Sequence, residues 1–378
     1  MAFMTSIHTM RITYALLARP PANIAQAPFT ACHAGEMLGC AFATWVPLLP
    51  QASSDVAILL DCSKPSGAQG TLPVSYTTVV PAAIHSRCLW GGVCERYNND
   101  TRYSLTCARG TIALLDWLNE AFSGTEFVVK VDTDALLLPA QVDSYIRSLA
   151  SAVALDPKQV VIYAGNALRT YEYRRCEGVR VRGRSFCSSA GKPCGKLVCL
   201  RSTVQWQQLE ASINPLRVPD LHEMRVSTFW RADSPSASGP KSPHAARAAF
   251  MLESLSAANR SKSAVGYGHG GTYVLSRAAV VAMASKQCVR RVSSIQCYGW
   301  SSKEPGACEH SPQHEDAAVG LCAHLLGGVH HLTERCFVRF FKEWPICKAR
   351  LLALHPIKNG SLYLREWQHH RRAAGFTK

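Results

Sequence analysis

Glu126-Phe127-Val128-Val129-Lys130-Val131-Asp132-Thr133-Asp134 is a short β-branched run that passes directly into two acids one residue apart. A β-branched run of this length fits a short buried strand. Asp132 and Asp134 then fall where the strand ends and the chain turns, so both carboxylates can face one crevice. Hard divalent cations such as Mg²⁺ and Mn²⁺ prefer oxygen ligands and often keep substrate phosphates in their shell. A strand-end Asp-x-Asp therefore suits a metal–diphosphate site. Short acidic pairs at strand ends often just face water; what sets this pair apart is the buried element that places it.

Outward from this strand, strands and helices alternate. Arg11–Ala18 (RITYALLA), before Arg19-Pro20-Pro21, reads as a first buried strand. Ala31–Trp45 reads as a helix, and Val56–Leu60 (VAILL), ended by Asp61, as a second strand. Residues 63–95, rich in Pro, Gly and Ser, read as loop. Thr106–Phe122 has apolar residues at helical spacing, with Ile112, Leu115 and Leu118 on one side. Beyond the acids, Gln141–Ala150 reads as a helix and Val160–Tyr163 as a strand. The alternation predicts an α/β fold with a mostly parallel central sheet and helices on both faces. Ligands in such a fold sit beyond the carboxyl ends of the strands. The 378 residues, 47% hydrophobic, can bury an ample core. No linker marks off a second domain, so residues 1–378 read as one domain. It carries a basic, Cys-rich loop insertion at 170–202 and a flexible loop of Pro, Ser, Ala and Gly at 231–247.

The charged fraction of 18% is too low for a disordered chain. The net charge of +15 favours anionic partners: nucleic acid, an acidic membrane surface, a nucleotide-sugar or a phosphorylated glycan. Much of the excess lies in one stretch, where Arg169, Arg174, Arg175, Arg180, Arg182, Arg184, Lys192, Lys196 and Arg201 face only Glu172 and Glu177. That stretch is either a solvated basic loop or a rim that attracts an anionic substrate. With no zinc-finger spacing and no RNP-type aromatic motif, nucleic acid is not expected as a partner. The sixteen cysteines include no CxxC pair, which disfavours a structural zinc site. Their even number fits disulfides in an oxidising compartment better than buried thiols. Sequons at Asn99, Asn259 and Asn359 agree with that compartment. Residues 1–30 hold no sustained apolar run that would serve as a signal or anchor, and Met37–Leu49 is short, contains Pro47 and reads as core.

Three further segments carry chemistry. In Gly266-Tyr-Gly-His-Gly-Gly-Thr-Tyr-Val-Leu-Ser-Arg277, adjacent Gly270 and Gly271 allow a close backbone approach, or simply a tight turn into a strand. The spacing is not a dinucleotide fingerprint. Glu315 and Asp316 open an apolar helical segment, where acids favour the positive end of the helix dipole; alternatively one of them is a general base. His310, His314 and Glu315 do not form the HExxH arrangement. His355, which closes Leu352-Ala353-Leu354 before Pro356, is either a packed histidine or a neutral imidazole able to reach a metal.

Taken in order, these segments resemble the β-1,3-glycosyltransferase group of glycosyltransferase family 31, which includes the Fringe and core-1 galactosyltransferase types. Arg11–Pro20 and Thr44-Trp45 are similar to that family's first strand and following helix end. Tyr103-Ser-Leu-Thr106, Lys130-Val131-Asp132-Thr133-Asp134, Gly165-Asn166, Gly270-Gly271-Thr272-Tyr273-Val274-Leu275-Ser276-Arg277, Glu315-Asp316-Ala317-Ala318-Val319-Gly320 and His355-Pro356-Ile357-Lys358 resemble its successive motifs. Thr133 replaces the middle acid of the family triplet, Ala317 its Val and Ser104 its Asn; none of these positions has an assigned role. The resemblance implies a GT-A-type nucleotide-sugar fold and an inverting, Mn²⁺-dependent (or Mg²⁺-dependent) transfer of a hexose or N-acetylhexosamine from a UDP-sugar to a glycan hydroxyl, forming a β-1,3 linkage. It places Asp132 and Lys130 on the donor side, and Asp134 and His355 on the metal. Gly270, Gly271 and Glu315 fall in the substrate pocket, and Asp316 is the base. The implied partners are the UDP-sugar donor and a glycan or glycoprotein acceptor. The implied location is the Golgi or secretory lumen, with a type II anchor that this sequence does not contain. A catalytically silent, glycan-binding or chaperone-like relative is the competing expectation.

Overall fold

A computed structural model describes residues 10–18, 32, 37–50, 52–62, 82–90, 95–96, 105–106, 108–153, 156–175, 185–186, 195–200, 264–293, 297–298, 315–326, 329–333, 338–339 and 352–373. In chain order its main elements are β1 (Ile12–Ala18), α1 (Met37–Ala43), β2 (Ser54–Cys62), β3 (Ala83–Trp90), α2 (Ala108–Ala121), β4 (Phe127–Asp132), β5 (Leu136–Leu137), α3 (Pro139–Val153), β6 (Ile162–Arg175) and β7 (Gly195–Leu200). They continue with β8 (Ala264–Ser276), α4 (Arg277–Ser285), α5 (Cys288–Ser293), α6 (Glu315–Leu325), β9 (Val329–Thr333), β10 (Val338–Arg339), β11 (Ala353–Leu354) and α7 (Gly360–Ala373).

The central sheet runs β7-β6-β8-β4-β1-β2-β3. Neighbours β4–β1, β1–β2, β2–β3 and β6–β7 are parallel, as is β9 against the first part of β6. Only β8 in this run is reversed, lying antiparallel between β4 and β6. The chain is thus the α/β fold with a mostly parallel sheet that its alternation predicts. Side-chain alternation sorts the core onto two faces. Ile12, Tyr14, Leu16, Phe127, Val129 and Val131 pack with residues of α1, α3 and α7 on one face. Ala15, Ala57, Leu59, Val128 and Leu275 pack with α2, α4, α5 and α6 on the other. Burial on both faces is why β4 reads as a near-continuous apolar run.

Several expected elements are corrected. Residues 63–95 are not all loop, because β3 pairs in parallel with β2 from Asp55 to Cys62. It is an edge strand in which Ala83, His85 and Arg87 are exposed and Ile84, Ser86 and Cys88 half-buried, so its apolar signal is thin. Of the helix expected over Ala31–Trp45, the described residues hold α1, which ends at Ala43, followed by a single 3₁₀ turn at Val46–Leu48 that holds Pro47. A disulfide joins Cys32 to Cys40 in α1. The strand expected at Val160–Tyr163 is observed as Ile162–Arg175, and Gly195–Leu200 is also strand, so these described parts of 170–202 belong to the sheet. The loop expected at 231–247 and the sequons at Asn99 and Asn259 lie outside the described residues. A second disulfide, Cys288–Cys322, ties α5 to α6. No described cysteine is free, in keeping with the disulfide reading. No described helix is long and apolar enough to cross a membrane.

Candidate active site

The site forms at the carboxyl end of β4. Antiparallel pairing of β8 with β4 sets Thr272 beside Val131 and Tyr273 beside Lys130, which brings the Gly270-Gly271 segment of β8 to that same end. Gly270 and Gly271 lie inside the continuous strand β8, where the pairing with β6 shifts register between Gly268 and Tyr273. They do not form a tight turn; the close-approach reading is the one observed.

After Asp134 the chain enters β5, and β11 pairs antiparallel with it, Leu354 beside Leu136 and Ala353 beside Leu137. The Leu138 N–H donates to the Leu352 carbonyl at 2.9 Å, and the Ile357 N–H donates to the Asp134 carbonyl at 2.8 Å. This pairing folds His355 back over the acids. Its Nε2 lies 3.1 Å from Asp134 Oδ1 and 3.4 Å from Asp132 Oδ2. Asp132, Asp134 and His355 each offer one ligand atom, and these atoms all lie within 4.8 Å of one another. Two carboxylates and one imidazole form an oxygen-rich donor set that fits a hard or borderline divalent cation. Burial alone would lower the His355 pKa, but hydrogen bonding and charge from Asp132 and Asp134 outweigh it and raise it from 6.5 to about 9. For Asp132, burial opposes ionisation, but the Lys130 charge, with His355 beside it, holds the carboxyl well below the usual range.

On the other side of Asp132 sits a buried ionic cluster. Lys130 Nζ donates to Asp132 Oδ1 at 2.6 Å and to Glu315 Oε2 at 3.1 Å. Glu315 opens α6, and the Tyr273 hydroxyl donates to its Oε1 at 2.7 Å. Burial works against the Lys130 ammonium, yet the two carboxylates prevail and raise its pKa. Glu315 is pushed upward, chiefly by burial, while Lys130 pulls it back. Asp316 follows in the first turn of the same helix and is half-buried.

The structure therefore brings Lys130, Asp132, Asp134, Gly271, Glu315 and His355 to one place, with Gly270 beside Gly271 and Asp316 beside Glu315. Tyr273 belongs to the cluster and went unassigned from sequence. Its place two residues after the glycine pair, in a strand register with the Lys130 strand, was the signal available. Ser276 and Arg277, in the same motif, have structural work instead. Ser276 Oγ donates to the Val160 carbonyl and accepts from the Ile162 and Ala279 N–H groups. The last of these caps α4.

No protein-family description matches the chain, and no curated protein matches it. Among solved structures, the chain is similar to residues 1–349 of S. aureus TarS in complex with UDP-GlcNAc, at 12% identity and a TM-score of 0.24. The match covers 46% of this chain and spans 38% of that one.

Proposed function

We propose that this protein is a metal-dependent glycosyltransferase that moves a hexose or N-acetylhexosamine from a UDP-sugar to a glycan hydroxyl. The observation that carries the reading is the assembly of Asp132, Asp134 and His355 at the carboxyl end of a central strand. Ligands of open α/β sheets bind in that position, and carboxylates and imidazole suit a cation that also holds a diphosphate. The order of motifs along the chain, which resembles that of glycosyltransferase family 31, gives the finer assignment: a GT-A-type site, inversion at the anomeric carbon, a β-1,3 linkage, Mn²⁺ as the ion, and a lumenal setting with a type II anchor.

In this reading Asp134 and His355 hold the cation, and Asp132 lies on the ribose side of the donor. When bound, the cation offsets the charge that develops on the leaving UDP. Asp316 takes the proton of the acceptor hydroxyl as its oxygen bonds to the anomeric carbon and the bond from that carbon to the diphosphate breaks. One displacement of this kind inverts the configuration and needs no covalent nucleophile.

The test is UDP release from a panel of UDP-sugars with Mn²⁺, comparing wild type with Asp134→Ala and Asp316→Asn. Turnover of one donor, abolished by EDTA and by each substitution, is expected. Folded protein that neither turns over nor binds any UDP-sugar with metal would overturn the reading in favour of a silent glycan-binding relative.

A further inference from the structure

The ionic cluster beside Asp132 deepens this reading, on which its catalytic part rests. Resemblance assigns Lys130 to the donor and Glu315 to the substrate pocket, but the geometry uses both internally. The Lys130 side chain is 3% exposed, and its ammonium is shared between Asp132 and both oxygens of Glu315. It also lies 5.4 Å from the centre of the Tyr273 ring, whose hydroxyl holds Glu315 Oε1. Glu315 is itself 11% exposed. A carboxylate engaged on both oxygens, and an ammonium held between two carboxylates, have little left to offer a sugar.

Helix-start acids gain from the dipole wherever they face water. Glu315 is instead drawn inward, onto a lysine in one strand and a tyrosine in the next. Leaving any one of these buried groups without its partners is costly, whereas an apolar contact would pack the helix at least as well. A buried ionic set in place of apolar packing fixes position, because its hydrogen bonds admit one geometry. Glu315 also balances Lys130, which would otherwise neutralise Asp132.

We infer that Lys130, Tyr273 and Glu315 are positioning residues and not substrate contacts: they pin the first turn of α6, and with it Asp316, to the end of β4 that carries Asp132 and Asp134. The far part of α6 is fastened separately, by the Cys288–Cys322 disulfide, so loss of the brace loosens the first turn without releasing the helix.

The test uses the full chain with Tyr273→Phe, which changes no charge, and Glu315→Gln. Steady-state kinetics, Mn²⁺ binding by electron paramagnetic resonance and hydrogen exchange over residues 315–325 are compared with wild type. Tyr273→Phe is expected to lower kcat about 3- to 10-fold, the effect of one lost hydrogen bond. Donor and acceptor KM, and the Mn²⁺ affinity of this variant, stay within about twofold, because the interaction serves the transition state and not ground-state binding. Glu315→Gln lowers kcat about 10- to 100-fold, with acceptor KM within about twofold. Amide exchange at Val319 and Gly320, whose N–H groups close the start of α6 onto the carbonyls of Glu315 and Asp316, rises in both variants. The doubly substituted protein loses less than the product of the two single effects, since the residues act as one unit. A raised KM with kcat retained would make Glu315 a substrate contact and overturn the inference, and so would unchanged exchange at the start of α6. Should wild type turn over no UDP-sugar, the functional reading fails, while the exchange measurement still decides whether the brace exists.

Discussion

Gly271 lies against the imidazole of His355: a Cβ at position 271 would come within 2.6 Å of Nδ1 and 2.9 Å of Cδ2, and closer still to Cγ. The backbone cannot yield, because the next residue, Thr272, is paired with Val131 in the centre of the sheet. What the site needs from Gly271 is space, not a left-handed backbone.

Gly271→Ala should therefore displace the His355 ring while leaving the fold intact. Mn²⁺ affinity is expected to fall about 10- to 100-fold, the range for disturbing the support of a ligand. His355→Ala should show a loss of similar size. Titration by electron paramagnetic resonance gives both values; full Mn²⁺ affinity in Gly271→Ala would remove His355 from the ligand set.

Tyr363 joins three segments behind the acids. Its hydroxyl accepts from Trp45 Nε1 at 3.1 Å and donates to the Ala135 carbonyl at 2.9 Å, and both rings are fully buried. Tyr363→Phe strands both partners, at a cost of about 1–3 kcal/mol. Chemical denaturation should show that loss. A smaller drop in Mn²⁺ affinity is expected with it, since Ala135 follows Asp134 directly.

Arg277 closes the end of α2. Its guanidinium donates to the carbonyls of Leu118 and Asn119, each at 2.9 Å, and to Asn119 Oδ1 at 3.2 Å. Charged donors at a helix C-terminus satisfy orphan carbonyls and favour the dipole. Arg277→Met keeps the buried stem and removes the donors, and should destabilise the protein by about 1.5–3 kcal/mol. Below the melting transition its kcat and KM should match wild type, because Arg277 has no place in the chemistry.

His370, buried on α7, is held neutral: burial, with His369 adding to it, lowers its pKa from 6.5 to about 4. Between those values the unfolded chain binds more protons than the folded one. The stability this group contributes is complete above pH 6.5 and is lost as pH falls toward 4. His370→Gln should flatten the fall in Tm across that window, measured by calorimetry from about pH 7.5 to about pH 4.5. An unaltered slope would place the acid sensitivity elsewhere.

Elements with strong apolar periodicity were legible before the structure: β1, β2, β4, α2 and α3 fall where the pattern puts them, with ends shifted by a few residues. β3 escaped because an edge strand needs only one half-buried side, and His85 and Arg87 on its exposed side dilute the signal. The extension of β6 escaped for a related reason. Its pairing with β8 decides it, and that pairing is not a local property of the residues concerned.

At the site the sequence alone determined which groups exist. Acids close a buried strand, adjacent glycines lead into an apolar run, two acids open a helix, and a histidine ends another apolar run, because each of these is a local choice of residue and period. Only the tertiary structure decided what the groups do to one another. Lys130 and Glu315 lie 185 residues apart in the chain and share a hydrogen bond, and His355 meets Asp134 because β11 pairs with β5. A charged side chain looks alike in sequence whether it will face a ligand or be spent on a neighbour. The difference is set by which strands become adjacent, and that depends on sheet order and register over the whole chain.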